Sequence, residues 1–296
     1  MHVRGLEIGD VVHRWIESGA SKWHVTLLTG DAAVFCGRDQ RCFALISRRR
    51  LLDPVAAVVE PWPAVRNALR LGAELRGSHG VLTGSGLVLD FSGLSPWPSA
   101  APRCSRFMHG PKILDLICPV LLASQAGSLT KNVAGWIGPQ PQPPFQGGAV
   151  AEGLIKFMES DPWHPENLYP PHWLIGLGDG LTPEGDDLVV GWLAARYAYS
   201  AAVGANRLDL RQPVQRWLRK QVTAETTVIS AQLLLLAAAG RICQPAAQLI
   251  ILLGSRANYD ELHQAMMTLT QWGATSGRAV LAGITLILRH LVHRPR

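Results

Sequence analysis

Apolar and polar positions change their period about halfway along the chain. Between residues 24 and 60 the apolar runs are short and separated by turn residues. His24 to Leu28 is broken by Thr29-Gly30-Asp31. Ala32 to Phe35 and Cys42 to Ile46 follow, and Arg50 to Leu52 and Val55 to Val59 continue around Pro54. Runs of this kind predict strands. Residues 64–76 have helical spacing that stops at Gly77. Gly80 to Phe91 predicts a hairpin, with Val81-Leu82 and Leu87-Val88-Leu89 joined through Thr83-Gly84-Ser85-Gly86. From Ala149 onward the spacing is helical, over 149–159, 183–201, 211–239 (long enough for two helices), 244–253, 258–272 and 276–292. Gly240 and Gly273 stand where helices stop.

The fold class this pattern predicts is α+β. A β-rich N-terminal part, a small barrel or sandwich with one helix, precedes a mainly helical C-terminal part. The expected domains are 1–137 (β-rich), a Pro/Gln/Gly-rich loop or linker at 138–148, and the helical 149–296. Within the first, Pro96 to Pro102 is a proline-rich connector. Ile113 to Ala126 has helical length, with Pro119 expected to kink or interrupt it.

Composition narrows the class. With 48% hydrophobic and 17% charged residues, the chain can bury a sizeable core and is not of the disordered type. Apolar runs fall short of the roughly 20 residues that span a bilayer. The charged start Met1 to Glu7 lacks the apolar region of a signal peptide. A cytoplasmic protein without membrane association is the expectation. The five cysteines are odd in number and show no C-x-x-C spacing, which points away from a disulfide framework or zinc site and toward buried thiols. None of the ten histidines has a trustworthy metal-ligand spacing. Of the net charge of +6, residues 1–150 carry 15 Lys/Arg against 10 Asp/Glu, and Arg48-Arg49-Arg50 is the densest run. A nucleic-acid binder would show a longer basic stripe with interleaved aromatics, so nucleic acid is not expected as a partner.

The candidate chemistry lies between Leu174 and Asp187. Gly176, Gly178 and Gly180 alternate, and Gly185 follows Thr182-Pro183-Glu184. Glycines at these positions allow positive φ and close backbone approach. Thr182 suits an N-cap and Pro183 the first helical position. A glycine-rich turn entering a helix N-terminus favours a phosphate or carboxylate. The spacing is neither that of a P-loop nor that of a dinucleotide fold. Asp186 and Asp187 fall in the first turn, about 100° apart, so they cannot serve one job in one direction. Two carboxylates beside an anion site conflict with it. A Mg²⁺ held by Asp186 and Asp187 would reconcile them, and so would a substrate amide donating to one of them.

Asp186, Asp187 and Thr182 are therefore the candidate catalytic residues. Gly176, Gly178, Gly180 and Gly185 are candidate ligand contacts. So are Thr226 and Ser230, which share a helix face at i and i+4 and either bond back to helix carbonyls or line the pocket. Thr275, Ser276 and Gly277 form a second helix start that can cap its helix or add an anion or amide contact.

These segments resemble the family of bacterial proteins that includes AllH, a subunit of oxamate carbamoyltransferase. The resemblance rests on Leu174-Ile-Gly-Leu-Gly-Asp-Gly-Leu-Thr-Pro-Glu-Gly-Asp-Asp187, on Thr226-Thr227-x-x-Ser230, and on Gly273-x-Thr275-Ser276-Gly277 with Gly283 beyond. The sequence departs from the family pattern at Asp179, Glu184 and Arg278. The resemblance implies a carbamoyltransferase subunit of purine (allantoin) catabolism. It would move a carbamoyl group between an oxalurate-like ureido acid and phosphate, with carbamoyl phosphate and oxalurate-like anions as ligands and FdrA-like and AllG-like subunits as partners. The alternative is a non-catalytic subunit for small-metabolite binding or assembly.

Overall fold

A computed structural model of the chain describes residues 1–18, 21–39, 41–47, 52–123, 125–138 and 149–293. The Arg48–Arg50 run and positions 139–148 of the expected linker lie outside them. Contacts divide the chain into two compact units, Met1–Ser99 and Ala100–Arg296. The division falls inside the proline-rich connector rather than at 137/138. The reason is that the helices Lys112–Leu121 (α3) and Ser128–Ile137 (α4) pack on each other and on the C-terminal helix of the second unit.

In the first unit, eight strands among the described residues close a barrel, which resolves the choice between barrel and sandwich. They are β1 (His2–Ile8), β2 (Ser21–Leu28), β3 (Ala32–Gly37), β4 (Cys42–Ile46), β5 (Ala56–Val59), β6 (Glu74–Ser78), β7 (Val81–Gly84) and β8 (Leu87–Asp90). Around the barrel the order is β1-β5-β4-β3-β2-β6-β7-β8, and β8 pairs in parallel with β1 to close it. Closure removes the unpaired edges that an open sheet would expose. Alternate positions are buried, as the period of two requires: Trp23 and Val25, Ala33 and Phe35, Leu87 and Leu89. Phe35 and Phe43 are cross-strand partners and stack at 5.1 Å, with Trp23 edge-on to Phe43 at 4.9 Å.

Three expectations need correction here. The helix expected over 64–76 is α2, Trp62–Ala68, and Glu74–Ser78 is strand β6. Gly72, at φ 78°, turns the chain, and β6 then completes backbone hydrogen bonds to both β2 and β7 that a helix would leave unmade. A second helix, α1 (Asp10–Glu17), buries Val11, Val12 and Ile16. Finally, Cys36 and Cys42 form a disulfide. They face each other across the β3–β4 ladder with Cα atoms 4.2 Å apart, a proximity that strand pairing creates and cysteine spacing does not reveal. Cys104, Cys118 and Cys243 are free and buried.

The helical unit continues with α5 (Ala149–Glu159), α6 (Glu184–Ala198), α7 (Arg207–Glu225), α8 (Val228–Ala238), α9 (Gln244–Leu253), α10 (Tyr259–Thr270) and α11 (Ser276–His293). The long 211–239 pattern is thus two helices. In α3, Pro119 sits inside the helix, which ends at Leu121, short of Ala126. The centre of the unit is α6, every residue of which from Gly185 to Ala198 is buried. It packs most extensively on α11. Their backbones meet directly, since a Cβ on Gly191 would stand 2.0 Å from the Val280 carbonyl oxygen, and one on Gly283 2.0 Å from that of Leu188. No helix among the described residues is long and apolar enough to cross a membrane.

Candidate ligand site at the start of α6

The loop before α6 is folded by its glycines. Gly176, Gly178 and Gly180 take φ of 75°, 115° and 95°, a region that side chains disfavour. Gly185 N–H donates to the Leu177 carbonyl at 2.8 Å, drawing the loop back over the helix start. Three of the candidate glycines serve packing: a Cβ would lie 1.9 Å from Glu225 O at Gly176, 2.1 Å from Leu174 O at Gly185, and 1.9 Å from Leu269 O at Gly277. Gly178 and Gly180 are exposed, and Gly180 has open space around its Cβ position.

Thr182 is not the N-cap of α6. Pro183 occupies that position, its carbonyl taking Asp186 N–H at 3.0 Å and Asp187 N–H at 3.2 Å. Backbone geometry closes the turn, and the Thr182 hydroxyl is instead 2.8 Å from that of Ser276, at the first residue of α11. Glu184 turns to α4, where its carboxylate accepts Thr130 N–H at 2.8 Å and Leu129 N–H at 3.2 Å. Its charge thus sits on the positive end of a neighbouring helix.

The two aspartates part as their spacing requires. Asp186, fully buried, accepts Gly176 N–H at 2.8 Å, Ser230 Oγ–H at 2.6 Å and the Thr226 hydroxyl. Thr226 and Ser230 do not share a helix face. Thr226 lies between α7 and α8, Thr227 caps α8 by accepting Ser230 N–H at 3.1 Å, and the Thr227 hydroxyl donates to Leu181 O at 2.5 Å. Sequence reasoning passed over this last contact, whose only local signal is the N-cap preference of threonine.

Asp187 faces Thr182 and Ser276. Its Oδ2 is closed off from solvent and has no hydrogen-bond partner. Burial pushes its carboxyl up to about 8, against the opposing effect of the Ser276 and Thr182 hydroxyls, and the charges of Asp186 and Glu184 push in the same direction as burial. The carboxyl is therefore protonated at neutral pH. Thr275 is exposed, and it is its backbone carbonyl that accepts Arg278 N–H at 3.1 Å and Ala279 N–H at 3.2 Å.

The candidates thus separate into two clusters. Thr182, Asp187 and Ser276 form one. Asp186, Thr226, Ser230 and Gly176 form the other, which holds the loop to the α7–α8 joint. A shared Mg²⁺ does not fit this arrangement. Three donor hydrogens already face the Asp186 carboxylate, where a cation would be repelled, and Asp187 points elsewhere. No group of three or more His, Cys, Asp or Glu able to hold a metal occurs among the described residues.

Fold and site together define an α+β protein, a mixed β-barrel followed by a helical unit whose glycine loop and helix starts converge on a buried carboxyl. Over residues 174–288, from the loop through most of α11, the chain matches the family described as oxamate carbamoyltransferase subunit AllH. The matched segment lies wholly within the helical unit and contains every residue of both clusters. No curated protein and no solved structure matches the chain.

Proposed function

We propose that this chain is a subunit of an oxamate carbamoyltransferase-like enzyme, in which Asp187, Thr182 and Ser276 meet the carbamoyl group as it passes between an oxalurate-like ureido acid and phosphate. The observation that carries this reading is the unpartnered Oδ2 of Asp187, buried beside two hydroxyls inside the family-matched segment. The arrangement also removes the conflict between two aspartates and an anionic substrate. Asp186 is neutralised in effect by its three donors, and Asp187 carries no charge at neutral pH. A neutral carboxyl can donate to a carbonyl oxygen or a leaving nitrogen, which a carboxylate cannot. In the transfer, a phosphate oxygen bonds to the carbamoyl carbon, the bond from that carbon to the amide nitrogen breaks, and the nitrogen takes a proton to leave as oxamate. Gly178 and Gly180, exposed in the loop, would contact the ligand. Asp186 is a positioning residue.

The test is phosphate-dependent cleavage of oxalurate by the chain reconstituted with FdrA-like and AllG-like partner subunits. Asp187→Asn should lower turnover by about 100-fold, in the range for loss of a positioned acid. Unchanged turnover and substrate affinity would overturn the assignment. A subunit that only binds metabolite or assembles the complex would lose oxalurate affinity in D187N while the set kept its maximal rate. Activity of the chain alone would remove that second reading.

A further inference from the structure

The barrel unit carries a cavity of its own, of about 470 Å³, a size ordinary for small-molecule sites. Its lining includes Trp15 of α1, Ser21, Lys22 and Trp23 of β2, and Arg38 and Arg41 of the β3–β4 turn. Trp15 follows the buried Val11 and Val12 by four and three positions, so it shares their face of α1. It stacks on Trp23, ring centres 5.9 Å apart. Trp23 is buried and is itself braced by Phe43 at 4.9 Å. Trp15 stays half-buried, on the cavity wall.

Strand pairing sets the rest of the wall. Trp23 stands opposite Gly37 in the β2–β3 ladder. Gly37 lets the chain lie close to the indole, since a Cβ there would stand 3.3 Å from Trp23 Cζ3. The turn that follows is closed by Gly37 N–H, which donates to Arg41 O at 2.8 Å, and by the Cys36–Cys42 disulfide at its base. Arg41 Nε pairs with Asp39 Oδ2 at 2.7 Å, and the Arg41 guanidinium stands 5.7 Å over the Trp15 ring. Charge on the wall is unbalanced. Lys22, Arg38 and Arg41 line it with one acidic residue, Asp39, which Arg41 engages. Lys22 reaches Glu74 Oε1 at 3.8 Å, but Arg76 holds the same oxygen at 3.0 Å. Arg38 is exposed, and no ion pair among the described residues takes its charge. Ser21 Oγ accepts Trp23 Nε1–H at 2.7 Å, which leaves its own hydrogen to donate.

A flat ring suits the indole by stacking, whichever base it is. A phosphate suits the cations, because guanidinium forks bind its oxygens two at a time. We propose that this cavity binds a nucleoside monophosphate, its base against Trp15 and its phosphate on Arg38 and Lys22. All of these residues belong to the first unit and lie outside the family-matched segment, so the inference is independent of the carbamoyl-transfer reading.

The experiment is calorimetric titration of the full chain with AMP, adenosine and inorganic phosphate at fixed ionic strength. Saturable AMP binding is expected, with adenosine and phosphate each at least tenfold weaker. Arg38→Gln should weaken AMP binding at least fivefold, and its exposed position spares the core. Trp15→Leu should bring AMP down to the affinity of phosphate, with circular dichroism to show that the variant is folded. AMP bound no more tightly than adenosine or phosphate, or AMP affinity unchanged in R38Q or in folded W15L, would overturn the proposal.

Discussion

Thr182 and Ser276, 94 residues apart, place their hydroxyl oxygens 2.8 Å from each other beside the Asp187 carboxyl. Thr182 lies two residues before α6 and Ser276 opens α11, and the backbones of these two helices meet at Gly191 and Gly283. The hydroxyl pair therefore sits at one end of the most extensive helix–helix packing in the unit. Ser276→Ala should cost about 1 kcal/mol in stability, the ordinary value for one hydrogen bond. It should lower carbamoyl transfer by the reconstituted set by at least tenfold. Kinetics and urea denaturation on the same preparation separate the two effects.

Asp187 makes stability depend on pH in a specified direction. Its folded-state pKa, about 8, lies above the ordinary 3.8, so the folded chain holds a proton that the unfolded chain releases between those values. Stability from this group is fully present below pH 4 and is lost as pH rises through 8. Asp187→Asn imitates the protonated form and removes the dependence. The stability advantage of D187N over the parent should widen from pH 5 to pH 8, by at most about 1.4 kcal/mol per pH unit, and level off above. Denaturant midpoints across that range provide the check, and a constant difference would contradict the assignment.

Asp186 should behave as a structural anchor. Asp186→Ala leaves Gly176 N–H and the Thr226 and Ser230 hydroxyls without their acceptor. The loss should be about 3 kcal/mol or more. In a double-mutant cycle, Ser230→Ala should cost little once Asp186 is gone. Additive losses would show that the two side chains do not interact.

The glycines should rank by what surrounds them. Gly185→Ala and Gly277→Ala push a methyl onto backbone carbonyls at 2.1 Å and 1.9 Å, and each should cost more than ~2 kcal/mol. Gly180→Ala meets open space and pays only for its φ of 95°, about 1 kcal/mol. If Gly180 borders the substrate, G180A should lower turnover more than its stability loss explains. Melting temperatures and turnover on the three variants decide the order.

Glu184 should stabilise a helix other than its own. Glu184→Ala removes the acceptor for Leu129 and Thr130 N–H groups, at a cost of about 1 kcal/mol. Hydrogen exchange should quicken in the first turn of α4 and not in α6. Gly127→Ala should imitate this change, because a Cβ there falls 2.3 Å from the Glu184 carboxyl carbon.

Local pattern exposed much of this fold. The β4 boundaries, Cys42–Ile46, and those of α9, Gln244–Leu253, follow from apolar runs bounded by breakers. The division of angle between Asp186 and Asp187 follows from helix geometry alone. What stayed hidden depends on partners remote in sequence. Glu74–Ser78 is a strand because β2 and β7 flank it. Cys36 meets Cys42 only through strand register. Thr182 forgoes the cap because Ser276 lies close by. Glu184, which in sequence only adds charge beside the loop, proves to serve α4. Nor could spacing show that Thr226 and Ser230 converge on one carboxylate from either side of a helix break.

The complete burial of α6 bears on how this protein can vary. A helix with one face in water can drift at its wet positions with little consequence. From Gly185 to Ala198 there is no such position, and α11 approaches so closely, at Gly191 and Gly283, that backbone meets backbone. Substitutions in this helix must be matched by changes on α11 or α8, so its history should be written in correlated pairs of residues rather than in single replacements.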